Sequence, residues 1–146
     1  MKENKKESDK MKIGEMDRYR VLRQTQIGYM LLNDEEEEVF LHNNECNQKT
    51  LKEGELLDAF VFYDKKGRTA ATLFPPLLSI DSFSFVEVVS VVESLGVFVD
   101  IGISKDILFS KDDLPQDFTL WPQIGDVLFG TLRIKKQALL FRQANK

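Results

Sequence analysis

The stretch "LGVFVDIGISKDILFS", residues 95–110, holds two short apolar runs divided by a polar connection. Gly96 precedes Val97, Phe98 and Val99, and Ile107, Leu108 and Phe109 close on Ser110. Runs of this length, rich in β-branched and aromatic residues and bounded by turn formers, read as paired strands. Alternation sets Val97 and Val99 on one side and Phe98 on the other, without saying which side is buried. Whether this is a lone hairpin or part of a barrel depends on what flanks it.

Three further strand-like segments belong with it: FSFVEVVSVVES (83–94), DVLFGTLRI (126–134) and QALLFR (137–142). Upstream, YRVLRQT (19–25), GYMLLN (28–33), EVFLH (38–42), LLDAFVFYD (56–64) and RTAATL (68–73) make an earlier set of five. FPPLL (74–78) lies between the sets and reads as a linker, because adjacent prolines lack the N–H groups a central strand needs. Sliding the first set by 68 residues lays Gly28 on Gly96, Met30 on Phe98, Leu31 on Val99, Val39 on Ile107, Leu41 on Phe109 and His42 on Ser110. After an insertion of three residues, Gly54 falls on Gly125. The chain is therefore a duplicated five-stranded unit. Five short antiparallel strands avoid exposed edges by curling into a barrel of OB or SH3-like type, and glycines before the second and fourth strands suit the bends.

Composition bounds the rest. With 146 residues, 42% of them hydrophobic, the chain suffices for two small domains. It has no bilayer-length apolar run and no secretory signal core, which points to a soluble, cytoplasmic protein. A single cysteine, Cys46, and a single histidine, His42, offer neither a disulfide framework nor a zinc cluster, so no cofactor or metal is expected. Net charge is −4, and no region is strongly basic. That disfavours duplex DNA, whose binding draws on counterion release, but leaves room for single strands bound partly by stacking. Residues 1–17, mixed in charge and poor in large apolar groups, read as a flexible leader. Without a nucleophile elbow, a phosphate loop or a metal cluster, the chain is not expected to be an enzyme.

The quoted stretch, the later "IGDVLFGTL", and the earlier "IGYMLL", "VFLHNNE" and "LKEGELLDAFVFYDKKGRTAAT" resemble S1-type RNA-binding domains over residues 18–142. The tandem arrangement and the wording "YDKKGRTAAT" are similar to the N-terminal half of the conserved virulence factor B family of bacterial RNA-binding regulators. The resemblance implies an all-β fold of two OB barrels, at 18–73 and 79–146. It also implies single-stranded RNA held on the barrel face by second-strand aromatics, by a histidine closing the third strand, and by an Asp and Arg at the fourth-strand turn. By position, His42, Asp64 and Arg68 fill these places in the first copy and Phe98 in the second, where Lys135 and Lys136 stand at the turn. Each copy is half equipped, which implies that useful binding needs both.

Each candidate also has a plainer reading. His42 suits a half-exposed strand end as well as a base contact. Phe98 and Tyr29 suit packing as well as stacking. Asp64 and Arg68 form a natural turn pair. Arg18, Arg20 and Arg23 make either a basic patch or a solvated edge. Glu35 to Glu38 lack the alternate spacing of a calcium loop, and Trp121 is placed to cover the open end of the second barrel.

The expectation is a monomeric, non-catalytic regulatory protein that binds single-stranded RNA through His42, Asp64, Arg68, Phe98, Tyr29 and Lys135. The alternative is a protein-interaction adapter built on the same barrels, with Phe98 and Trp121 facing the partner.

Overall fold

The computed structural model describes residues 11–144 and divides into two compact units, one ending at Pro75 and the other beginning at Pro76. The first unit contains β1 (Met16–Gln24), β2 (Gly28–Leu32), β3 (Glu38–His42), β4 (Leu56–Tyr63) and β5 (Thr69–Thr72). The second contains β6 (Ser84–Val92), β7 (Gly96–Asp100), β8 (Ile107–Ser110), β9 (Val127–Lys135) and β10 (Ala138–Gln143). Each set closes into a barrel, in the orders β1-β2-β3-β5-β4 and β10-β8-β7-β6-β9. All pairings are antiparallel except β3 with β5 and β8 with β10, which meet at Leu41 and Ala71 and at Leu108 and Leu140. This is the five-stranded OB topology, formed twice.

The duplication extends into the cores. Tyr29, Leu31, Val39 and Leu41 point into the first barrel, and Val97, Val99, Ile107 and Phe109 occupy the same places in the second. Alternate residues are the ones exposed, as the pleat requires.

Closure depends on the first strand of each barrel. β1 is irregular between Val21 and Arg23, and β6 between Val88 and Ser90. Such bulges sharpen the twist that lets one strand pair around a small barrel. Each is pinned by a glycine followed by an acid. The Gly54 amide donates to the Val21 carbonyl at 2.8 Å, and the Val21 amide donates to the Glu55 carbonyl at 2.9 Å. Gly125, Val88 and Asp126 repeat these bonds at 2.9 and 2.8 Å. The acid also caps its own turn: Glu55 Oε1 accepts from the Lys52 amide and Asp126 Oδ2 from the Gln123 amide.

Gly28 and Gly96 serve a different purpose. A Cβ on Gly28 would stand 2.1 Å from the Leu41 carbonyl oxygen, and one on Gly96 2.1 Å from that of Phe109. The neighbouring strand crosses where a side chain would be, so only glycine fits.

Two boundaries differ from the sequence expectation. Most of the expected leader, residues 1–10, lies outside the described residues, but residues 11–17 belong to the first barrel. Met11 and Ile13 are buried, Ile13 bridges Val61, and β1 begins at Met16. The charge of this segment conceals two apolar anchors that fill the barrel. The expected linker 74–78 is also shorter, since the Leu77 amide donates to the Ile101 carbonyl at 2.7 Å and Leu78 is buried in the second unit. Among the described residues no helix is long and apolar enough to cross a membrane.

The crossing at the glycines sets a stability expectation. Gly28→Ala and Gly96→Ala each lower the unfolding free energy of their barrel by about 2 kcal/mol or more, read from urea midpoints. Wild-type midpoints would contradict so close an approach.

Candidate functional site

The outer faces of β2–β3 and β7–β8 are the surfaces on which the two barrels can be compared residue by residue. In the first, Met30 lies opposite Phe40 and Gly28 opposite His42. In the second, Phe98 lies opposite Leu108 and Gly96 opposite Ser110. Met30, Phe40, Phe98 and Leu108 are all half-buried, while the residues flanking them in sequence are buried, so these four project outward. Each face thus carries one phenylalanine and one flexible aliphatic side chain at the same cross-strand position, exchanged between the two strands. Phe98 therefore faces outward and is half-buried, a direction that strand parity had left open.

Phe40 was not among the sequence candidates. The alternation in EVFLH was enough to find it, because Val39 and Leu41 must face in together and Phe40 then shares the face of His42. Its ring stands edge-on to His42, with centroids 6.2 Å apart and an interplanar angle of 83°. It lies over Gly28, where a Cβ would come within 2.8 Å of the ring.

One end of each face is built alike. The Asn43 amide donates to the Ile27 carbonyl at 2.9 Å, and the Lys111 amide to the Leu95 carbonyl at 2.8 Å. Ile27 and Leu95 are 58% and 48% exposed, so each face ends in an apolar tip in place of a second aromatic. A 3-10 turn follows in both, capped by the last strand residue. His42 Nδ1 accepts from the Asn44 amide at 3.0 Å, and Ser110 Oγ accepts from the Asp112 amide at 3.1 Å. A capping Nδ1 must be unprotonated, so the neutral ring carries its proton on Nε2, away from the cap. His42 is exposed, and one side chain serves both as local cap and as donor toward solvent.

Asp64 and Arg68 form the β4–β5 turn. Asp64 Oδ1 accepts from the Lys66 and Arg68 amides, both at 2.9 Å, and Oδ2 accepts from Arg68 Nε at 3.1 Å. Partial burial alone would raise the Asp64 pKa, but the backbone bonds from Arg68 and Lys66 and the Arg68 guanidinium outweigh it and hold the carboxyl below its ordinary value of 3.8. Asp64 thus shapes the turn, and the Arg68 side chain, paired with it through Nε, is 69% exposed. Lys135 and Lys136 are exposed at the equivalent β9–β10 turn.

Tyr29 requires a correction. It is buried, and its hydroxyl accepts from the Leu51 amide at 3.2 Å inside the first barrel. Gly28 and Met30 occupy the outward parity, so Tyr29 must point in and cannot stack on a ligand at this face. Trp121 is also buried, its indole N–H donating to the Pro115 carbonyl at 2.7 Å, in keeping with a cover over the barrel end.

The arginines of β1 do not form an unopposed patch. Arg18 pairs with Asp58 at 2.9 Å and Arg23 with Glu38 at 3.6 Å, while Arg20 donates to the Gly54 carbonyl. Both ion pairs have side chains about half exposed, and such pairs contribute only about 0–1 kcal/mol, so an incoming phosphate can compete for either arginine. On β6–β9, Phe83, Phe85 and Phe129 form an exposed aromatic cluster, with Phe85 and Phe129 centroids 4.7 Å apart. FSFVEVV carried the alternation that places Phe83 and Phe85 on the face of Glu87, opposite Val86 and Val88.

Comparison with known proteins follows the same division. Residues 13–73 match the family described as "S1 domain", and residues 83–143 match "CvfB first S1-like domain". The chain is 37% identical over 140 residues to the Bacillus subtilis protein named "Uncharacterized protein YitL", covering 96% of this chain and 46% of that protein. It is 31% identical to conserved virulence factor B of Staphylococcus haemolyticus, over 77% of this chain and 38% of that protein. The chain thus spans less than half the length of these relatives. Among solved structures, a multidomain protein with nucleic acid binding domains from Streptococcus pneumoniae is similar at 26% identity and a TM-score of 0.77, over 92% of this chain and 47% of that one.

The Asp64 turn yields a pH expectation. Because the folded carboxyl titrates below its unfolded value, its stabilisation is complete above the ordinary aspartate range and is lost as pH falls through the folded value. Asp64→Ala should cost about 1–2 kcal/mol at neutral pH, and the gap in urea midpoint from wild type should narrow under acid. A gap that stays constant on acidification would contradict the turn's dependence on the carboxylate.

Proposed function

We propose, from the premise that this chain carries two tandem S1-like domains and is similar to conserved virulence factor B, that it is a non-catalytic RNA-binding regulatory protein of the bacterial cytoplasm. It holds single-stranded RNA along the outer faces of β2–β3 and β7–β8. The observation that carries this reading is the equivalent pair on each face, Met30 with Phe40 and Phe98 with Leu108.

A half-exposed phenylalanine beside an aliphatic chain is a platform for an unstacked base, and base–aromatic stacking contributes about 1–3 kcal/mol. Nε2–H of His42 is available to a base or a ribose, and Arg68, Lys135 and Lys136 flank the faces as phosphate partners. Each barrel offers one aromatic where the family pattern has two, so each site alone is weak. Two weak sites in one chain raise each other's effective concentration, which favours RNAs long enough to touch both. The protein acts as a monomer in this reading.

The exposed Phe83, Phe85 and Phe129 favour a second reading, a protein-interaction adapter, because an apolar cluster beside Glu87 and Asp126 suits a protein partner better than a polyanion. Salt separates the two: phosphate binding weakens steeply as salt rises, whereas an apolar contact does not.

Fluorescence anisotropy with labelled single-stranded RNAs of about 8–16 nucleotides tests the proposal. Binding should saturate, weaken with salt, and fall about fivefold or more in Phe40→Ala and in Phe98→Ala. Binding that is absent at low salt while both variants remain folded would rule out RNA and direct attention to the β6–β9 cluster.

A further inference from the structure

We propose that the β8–β9 connection of the second barrel forms an additional nucleotide subsite, where Phe118 receives one unstacked base, Lys111 takes its phosphate, and bases with an exocyclic amine are preferred. This rests on the RNA-binding reading and extends it beyond the strand faces.

Relative to the first barrel, this connection is three residues longer. It carries two 3-10 turns, Lys111–Asp113 and Phe118–Leu120, around a cleft of about 420 Å³. That volume lies within the range of small-ligand sites. Trp121 is buried and anchored through its indole N–H. Phe118 packs edge-on against it at 4.8 Å yet remains 41% exposed in the wall of the cleft. Phe118 therefore adds an aromatic surface that the core does not need.

The cleft continues the β7–β8 face. Lys111, on its rim, donates its amide to Leu95 just past the Gly96–Ser110 pair. From Phe98 to that point is two or three strand residues, roughly 7–10 Å. An OB face that holds about four or more nucleotides would extend past Phe98 in one direction or the other. Toward Asp100 stand Asp106, whose carboxyl burial and Asp100 push up, and Lys105 beside it in sequence. Past Gly96 the cleft continues the face, and Lys111 is the basic residue of its lining.

Glu93 and Asp112 line the cleft together with Lys111. Two carboxylates exclude a phosphate from their side, so a nucleotide must present its base edge there. Carboxylates accept from the exocyclic amines of cytosine and adenine, whereas uracil has a carbonyl oxygen in the same place. Gln116, also in the lining, can donate or accept.

Trp121, the only tryptophan, lies in the cleft wall, so its emission reports occupancy directly. The full chain is titrated with labelled 12-nucleotide oligo(C), oligo(A) and oligo(U), following RNA anisotropy and Trp121 emission together. Expected is a saturable emission change that tracks the anisotropy for oligo(C) and oligo(A), with oligo(U) about fivefold weaker or more. Phe118→Ala should remove that preference, and Lys111→Gln, which leaves the Phe118–Trp121 contact in place, should weaken the emission change by severalfold. Anisotropy that rises while Trp121 emission stays unchanged, or an unaltered base preference in both variants, would overturn the subsite and leave the strand-face reading intact. No anisotropy change with any RNA would overturn the RNA reading itself, and the subsite with it.

Discussion

The structure depends on a pinned irregularity in the first strand of each barrel. β1 and β6 must pair on both edges while bending around a core only one side chain deep, and the glycine–acid turn fixes where they bend. Gly54 and Glu55 grip Val21 through two backbone bonds, and Gly125 and Asp126 grip Val88 in the same way. With the bend fixed, the register of β2 against β1 is fixed, and so is the parity of every residue on the outer face. Met30 and Phe98 project outward because Val21 and Val88 are held where they are. A motif that looks like a turn signal in the sequence thus determines which side chains the outer face presents.

Much of this was legible because the chain states it twice. The offset of 68 residues places Leu31 on Val99 and Leu41 on Phe109, and both barrels bury those positions. The same offset lays Tyr29 on Val97, so the inward direction of Tyr29 was readable from the repeat. The resemblance, which implies aromatics on second strands, points away from it and from Phe40, which occupies on β3 the outward place that Phe98 occupies on β7. Met11 and Ile13 were hidden for a different reason. Two apolar anchors among charged residues carry no periodic signal, and only the barrel opening they fill explains them. The exposure of Phe83 and Phe85 was readable in part, because they share the parity of the charged Glu87 and oppose that of the buried Val86 and Val88.

The two faces keep one scaffold while differing in their surface chemistry. His42 and Ser110 differ in chemistry but cap the same turn, so the scaffold tolerates either, and only the histidine adds a ring to the surface. The two barrels exchange phenylalanine and aliphatic across one strand pair without disturbing the inner residues, because alternation insulates one side of a strand from the other. Arg18 and Arg23 are paired with carboxylates at exposed positions, where such pairs contribute only about 0–1 kcal/mol. This arrangement suits reversible, salt-sensitive contact with a polyanion in a protein whose net charge is −4.

The most direct measurement of the central claim is a nuclear magnetic resonance titration of the full chain with an unlabelled single-stranded RNA, following backbone amides and the His42 side chain. The account predicts shifts concentrated at Met30, Phe40 and His42 and at Phe98, Leu108 and Ser110, with β6–β9 unchanged. Shifts centred on Phe83, Phe85 and Phe129, with both outer faces silent, would contradict it.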